Sequence, residues 1–192
     1  MTSEELRREL DARGALLTGH FRLSSGRHSD RFIQKFRILE DPRIVEPVAA
    51  EIASRCASYR PTIVVSAAVG GIVLGYETAR QLGAKAIFVE KEGGVPALRR
   101  NFVLGPEDRA LVVEDVVTTG GSVREVIEVV RSYGARVAAV GVIIQRSPVD
   151  FGAPTITLLE YPVDSYDPSS CPQCAAGEPL SEPGSRFIAK SC

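Results

Sequence analysis

Four short runs of β-branched and aliphatic residues alternate with stretches of helical periodicity, and this alternation constrains the fold more than any other feature of the chain. The runs are TIVVS (62–66), KAIFVE (85–90), ALVVE (110–114) and RVAAVGVIIQ (136–145). Each is apolar at successive positions rather than at every second one, as in a strand covered on both faces of a parallel sheet. Helical patterns occupy 71–82 and 121–133. An earlier stripe of Ile44, Val45, Val48, Ala49, Ile52, Ala53 and Cys56 predicts another helix over 43–58. Strands and helices in this order fold as a doubly wound α/β unit with right-handed crossovers, and ligands bind beyond the carboxyl ends of its strands. At 192 residues, 44% of them hydrophobic, the chain has material for one such core.

The flanks read differently. Thr2 and Glu5 have capping-box spacing, and Leu6 and Leu10 share a face, so 2–13 is expected to be a short helix. Residues 18–37 are polar and rich in Gly, Ser and Arg with interspersed aromatics, the composition of a hairpin or loop that carries function. From Tyr161 onward Pro, Gly, Ser and Cys dominate, and an irregular tail is expected. The organisation expected is a single domain with an N-terminal segment (1–40), an α/β core (41–160) and a tail (161–192). The net charge is −1 without blocks of like sign, so neither nucleic acid nor an acidic membrane is an expected partner. The first residues lack an apolar signal core, and the longest apolar run, Val137 to Ile144, falls short of the roughly 20 residues that span a bilayer. A cytoplasmic location is expected.

Four cysteines occur. Cys56 lies on the apolar helix stripe and reads as core. Cys171 and Cys174 form one CxxC, but a tetrahedral zinc site takes four ligands. His20 and His28, the only histidines, lie far away in sequence, and Cys192 adds just one more thiolate. A lone CxxC carries little information, so the tail is assigned no metal.

The segment richest in chemistry is ALVVEDVVTTGGSVREVI (110–127). An apolar strand ends in the adjacent acids Glu114 and Asp115, the loop Thr118-Thr119-Gly120-Gly121-Ser122 follows, and a helix begins at once. Successive N–H groups at a helix start, together with its dipole, hold an anion there. The hydroxyls add donors, and the glycines admit close backbone approach. The pattern suits a phosphate monoester, with the acids placed for ribose hydroxyls. It lacks the GK[ST] ending of a Walker loop and the spacing of a GxGxxG turn. A second strand–loop–helix passage, VVSAAVGGIVLGYETARQLG (64–83), offers another possible anion nest at its small-residue loop.

EDVVTTGGS resembles the motif by which type I phosphoribosyltransferases bind phosphoribosyl pyrophosphate (PRPP). The resemblance implies a central, mainly parallel sheet flanked by helices, with a small N-terminal hood and an irregular C-terminal tail. It implies that Glu114 and Asp115 meet the ribose hydroxyls, and that Thr118, Thr119, Gly120, Gly121 and Ser122 hold the 5′-phosphate, with Val116 and Val117 completing the motif. Ala67, Ala68, Val69 and Gly70 fall at the family's pyrophosphate loop, where a non-proline cis peptide is common. GALLTGHFRLSSGRHSDRFIQ (14–34) is similar to the N-terminal segment of the orotate-using members. Arg146 matches the arginine that holds orotate in them. A guanidinium pairs with a planar carboxylate through two parallel hydrogen bonds, which a neutral base does not require. Ser25, Gly26, Arg27, Phe32, Thr118 and Arg146 are thereby the expected orotate contacts.

The stretch 90–102 corresponds to the family's mobile loop, with Gly93, Gly94 and Pro96 for flexibility. Lys91, Arg99 and Arg100 are its cations and the expected catalytic groups, Lys91 also as a PRPP contact. The chain departs from the pattern in three places: Ser24 replaces a common lysine, Glu90 stands where arginine is usual, and no histidine follows His28. The resemblance further implies Mg²⁺ bound mainly through PRPP and a homodimer with shared sites. Transfer to another base, or PRPP sensing without catalysis, are the alternatives.

Overall fold

The computed structural model describes residues 1–23 and 25–183, so the readings attached to Ser24 and Cys192 lie outside the described residues. Helix α1 (Ser3–Ala12) starts with the anticipated box, in which Thr2 Oγ1 accepts from the Glu5 amide and the Glu5 carboxylate accepts from the Thr2 amide at 2.7 Å. Strands β1 (Leu16–Arg22) and β2 (His28–Ile33) then form an antiparallel hairpin. After the short α2 (Phe36–Leu39) comes α3 (Pro42–Cys56), opened by Asp41 as N-cap and Pro42 in its first turn. All seven stripe residues of α3 are buried.

The remaining elements build one six-stranded sheet. They are β3 (Ile63–Ala67), α4 (Gly71–Leu82), β4 (Lys85–Glu92), β5 (Val95–Leu98), β6 (Arg109–Val117), α5 (Gly121–Ser132), β7 (Arg136–Gln145) and β8 (Thr155–Glu160). The strand order is β5-β4-β3-β6-β7-β8, parallel throughout except for β5. From β3 the chain passes through α4 to β4 on one side. It then returns past β3 to lay down β6, β7 and β8 on the other. The direction of winding therefore reverses between β3 and β6, and a crevice opens above their carboxyl ends.

Alternation along the strands divides the apolar residues between two faces. On one face Val64, Leu111, Val113, Ala139 and Ile143 pack beneath α3 and α4, joined by Leu6 and Leu10 of α1. On the other Val65, Val112, Val140 and Val142 pack against Val123, Val126, Ile127 and Val130 of α5. The two-sided burial read from the sequence is thus present. Helix α1 belongs to this packing: Ser3 Oγ donates to the Leu158 carbonyl of β8, and the Met1 ammonium pairs with Glu51 of α3 at 2.9 Å.

Three features differ from expectation. Strand β6 runs on to Val117, so the acid pair lies within the strand and not at its end. The edge strands β5 and β8 were not anticipated: β5 has four residues and carries Pro96, and proline is tolerated only at a sheet edge. The tail beyond Tyr161 is irregular, yet it contains a 3₁₀ turn at Pro168–Ser170 and a helical turn α6 (Pro172–Ala175), with bridges to both hairpin strands. No helix among the described residues is long and apolar enough to cross a membrane.

Helix α3 approaches the sheet closely over Gly141 of β7, where an added Cβ would lie 2.5 Å from Ile52 Cγ2. Ile52 is fully buried and stiff about χ1, so it cannot swing aside. Gly141→Ala is expected to cost about 1–3 kcal/mol through overpacking. Urea denaturation measures this, and Ile52→Val in the same chain should leave the loss unchanged, because valine keeps the offending methyl. A midpoint equal to wild type would show that α3 shifts freely on the sheet.

Candidate active site

The loop after β6 and the first turn of α5 enclose a polar recess of about 230 Å³, lined by Glu114, residues 116–123, Glu125 and Lys91. Gly120 makes the turn at φ +80°, and a Cβ there would stand 2.7 Å from the Phe151 ring, so conformation and space both require glycine. No side chain caps α5. The N–H groups of its first turn are therefore open to an anion, with the helix dipole behind them. Thr118, Thr119, Gly121 and Ser122 are exposed at its mouth.

Because β6 continues to Val117, its acids follow strand alternation and point to opposite faces. Glu114, on the α5 side, lines the phosphate-sized recess. Burial, and then the charge of Asp115, raises its pKa far above the usual carboxylate range. Asp115, on the α3–α4 side, meets Lys35, whose ammonium stands 3.0 Å from Oδ1 and 2.8 Å from Oδ2. The ammonium hydrogen-bonds to Oδ1. Oδ2, although nearer, receives it off-axis and has no directed hydrogen bond among the described residues. Lys35 had not been singled out in the sequence: it lies near the end of the polar segment 18–37, and no local pattern distinguishes it from other surface lysines.

The loop after β3 reaches the same place from the neighbouring strand. The Ala68 amide donates to Val89 O at 2.8 Å, and the Ala68–Val69 peptide is cis, as it commonly is in the resembling family. A Cβ on Gly70 would run into the Asp115 carboxylate and lie 2.6 Å from Lys35 Nζ. The two small-residue loops therefore flank the crevice between β3 and β6, with Asp115 and Lys35 at its floor.

Arg146 leaves the end of β7 beside the β6 loop. Its amide donates to Val117 O at 2.9 Å, and Ser147 Oγ donates to Thr118 O at 2.8 Å. Burial lowers its pKa, but a guanidinium remains cationic at neutral pH. Its Nε is buried without a hydrogen-bond partner among the described residues. Native proteins rarely leave a buried charged donor unsatisfied, and such a donor beside a phosphate-sized recess implies an acceptor from a ligand.

The expected mobile loop is a β-hairpin: β4 and β5 pair through the Gly93-Gly94 turn, both glycines at positive φ. Lys91 reaches the recess, where its ammonium pairs with Glu125 of α5 at 2.7 Å. Arg99 and Arg100 pair with Glu92 and Glu90, each at 2.8 Å, and stay on the outer strands. Ser25, Gly26 and Arg27 form the β1–β2 turn. Arg27 is held by the tail, its Nε donating to Ser165 Oγ at 3.0 Å, and none of the three hydrogen-bonds to the β6 loop. Phe32 stacks on Phe21 within the hairpin, with ring centroids 5.8 Å apart. Within one chain, then, Lys91, Glu114, Asp115, Gly70, Thr118 to Ser122 and Arg146 converge, whereas Ser25 to Arg27, Arg99 and Arg100 engage other partners.

The pattern of the phosphoribosyl transferase domain family matches residues 37–149, which include both loops and Arg146. The orotate phosphoribosyltransferase of Pelotomaculum thermopropionicum is 48% identical over 98% of this chain and the whole of the relative. That of Thermotoga maritima is 49% identical over 93% of this chain and 97% of the relative. Among solved structures, orotate phosphoribosyltransferase from Aeropyrum pernix superposes with a TM-score of 0.68 at 30% identity, covering 81% of this chain and 93% of that one. The family pattern spans most of the α/β core, while the Pelotomaculum likeness covers nearly the whole chain, hairpin and most of the tail included, and with them the chain belongs to the orotate phosphoribosyltransferases.

Proposed function

We propose that the crevice between β3 and β6 transfers the phosphoribosyl group of PRPP to orotate, forming orotidine 5′-monophosphate and pyrophosphate in pyrimidine biosynthesis. The observation that carries this reading is the buried Nε of Arg146, without a hydrogen-bond partner among the described residues, at the end of the strand beside an uncapped helix N-terminus. One recess suits a phosphate, and the adjacent cation suits a planar carboxylate.

In this reading the 5′-phosphate sits on Thr118, Thr119, Gly120, Gly121 and Ser122, with the Val116 and Val117 backbone beneath it. Glu114 and Asp115 face the ribose hydroxyls, and Ala67, Ala68, Val69 and Gly70 carry the pyrophosphate. Orotate lies against Arg146 and Thr118, and Ser25, Gly26, Arg27 and Phe32 are its further contacts. Loss of pyrophosphate from C1′ leaves a sugar with oxocarbenium character, and the orotate nitrogen attacks the opposite face. No side chain serves as covalent nucleophile. The protein contributes by holding both reactants in line and by stabilising charge on the departing group. Lys91 is the cation placed for that task, and it must exchange Glu125 for the phosphates. Arg99 and Arg100 would act only after leaving Glu92 and Glu90.

Mg²⁺ fits this site as a companion of the substrate. Asp115 is already neutralised by Lys35, and Glu114 favours its protonated form, so the chain offers no carboxylate cage. Magnesium retains waters and prefers substrate phosphates. Bound with PRPP, it supplies positive charge to the leaving pyrophosphate, and the Ala67 to Gly70 loop would carry that complex.

We assign the reaction to the cytoplasm and the working unit to a homodimer of single-domain chains. An apolar groove of about 410 Å³ lies between α3 and α4, lined in part by Leu39, Val45, Ile72, Val73 and Tyr76. Tyr76 is 68% exposed, and Val69 of the pyrophosphate loop 74%. Patches of this kind mark protein interfaces, and a second copy seated there lies beside the substrate loops.

An ultraviolet assay of orotate consumption, requiring PRPP and Mg²⁺ and run beside adenine, hypoxanthine and uracil, tests the assignment. Turnover of orotate alone is expected, and Arg146→Gln should cut kcat/KM for orotate on the order of 10²-fold while PRPP binding persists. Equal turnover of another base, or an unaffected Arg146→Gln, would overturn it. Lys91→Ala is expected to lower kcat on the order of 10²-fold with little change in PRPP affinity; normal turnover would remove Lys91 from the mechanism. Sedimentation should find a dimer that Tyr76→Glu converts to monomer, and a wild-type monomer at micromolar concentration would refute the shared-site arrangement.

A further inference from the structure

We infer that His20, His28, Cys171 and Cys174 form a tetrahedral zinc site that ties the C-terminal segment to the β1–β2 hairpin. These residues come from three separate places: His20 on β1, His28 at the start of β2, and the CxxC at the opening of α6. One ligand atom from each lies within 4.8 Å of all the others. His20 Nε2 is 3.1 Å from His28 Nδ1, 3.5 Å from Cys171 Sγ and 3.6 Å from Cys174 Sγ, and Cys174 Sγ is 3.2 Å from His28 Nδ1. A regular tetrahedron with the usual zinc–sulfur and zinc–nitrogen bonds has nitrogen–nitrogen edges of about 3.3 Å and sulfur–nitrogen edges of about 3.6 Å. These four edges come within about 0.4 Å of such a figure.

Protonation agrees with the geometry. His20 Nδ1 lies 2.9 Å from the Glu178 carbonyl, to which it donates, and this leaves Nε2 as a lone pair aimed into the cluster. A ligating histidine held by a backbone carbonyl through its other nitrogen is the usual outer support of a zinc site. Cys171 and Cys174 are both free thiols, not joined to each other, and both face His20. Two thiolates and two neutral imidazoles balance a divalent ion without residual charge, so the assembly tolerates burial; zinc entry releases two thiol protons to solvent. Sulfur and imidazole donors select zinc over magnesium or calcium. Four protein ligands leave no open position, so the site is structural.

The site lies where the fold lacks other means of cohesion. Among the described residues beyond Tyr161, Cys171 alone is buried, so apolar packing does not hold this segment. It is laid across the hairpin by backbone bonds: His28 and Tyr166 exchange amide and carbonyl contacts, the Ser181 amide donates to His20 O, and the Arg22 amide donates to Ser181 O. The metal would close this wrap at its centre. His20 and His28 also bracket the turn that carries Ser25, Gly26 and Arg27, so the same ion sets the base of that turn. Small elements without a core commonly depend on such cross-links.

The test uses untagged full-length protein purified without chelator. Elemental analysis should find about one zinc per chain, and cobalt exchanged into the same site should give the intense visible bands of a tetrahedral thiolate complex. Cys171→Ser with Cys174→Ser should lose the metal, as should His20→Asn, whereas Cys56→Ala and Cys192→Ser should retain it. If the ligand variants fail to fold, the cobalt spectrum of the wild-type chain decides alone. Wild-type protein without stoichiometric zinc, a weak octahedral cobalt spectrum, a Cys171–Cys174 disulfide in fresh protein, or loss of metal from Cys192→Ser would each overturn the assignment.

Discussion

The burial of β6 on both faces is the constraint from which the rest of the molecule follows. Leu111 and Val113 are gripped beneath α3 and α4, and Ala110 and Val112 by α5, so the strand can neither slide nor rotate. Its last residues inherit that fixed register. Glu114 is delivered to the α5 side, Asp115 to the other, and the chain turns at Gly120 with the helix N-terminus aimed back over the strand end. An anion site made from backbone N–H groups is only as accurate as the strand that feeds it. Here that strand is among the most deeply buried parts of the protein.

Around this rigid centre the polar groups are arranged in pairs that a substrate would have to rearrange. Lys91 rests on Glu125 and Lys35 on Asp115, while Arg146 Nε has no hydrogen-bond partner among the described residues. Two of these cations carry a carboxylate that shields them in the free protein, and the third keeps open capacity for a carboxylate from outside. Exposed pairs such as Arg99–Glu92 and Arg100–Glu90 contribute little to stability, so parting them carries a small penalty.

The periphery is held by other means. The hairpin and the tail bury few apolar groups, and their cohesion rests on backbone bridges and on the histidine–cysteine cluster. A sheet core and a hydrogen-bonded wrap thus meet in one chain. The first depends on the hydrophobic effect, and the second on directional bonds among a few side chains.

The α/β class, the boundaries of α3, α4, α5 and β7 to within two residues, and the glycine turn from β6 into α5 were all legible in the sequence, because each is written in contiguous residues whose period or turn chemistry has a local cause. β5 and β8 were not, since short edge strands take their conformation from pairing with a neighbour. For the same reason the acid pair was read as the end of its strand and not its interior: β7 pairs with β6 as far as Val117, and nothing in EDVV itself says so. Lys35 and Asp115 are 80 positions apart, Lys91 and Glu125 are 34 apart, and His20 and His28 stand 146 to 154 positions from the cysteines they face. Such meetings are decided by how the sheet, the hairpin and the tail pack in space, and the local pattern around each residue carries no record of a partner that distant. The sequence by itself determined the alternating core strands and helices and the glycine-rich turn into α5, whose causes are local; the tertiary structure alone decided which charges face one another and that two histidines and a CxxC lie together.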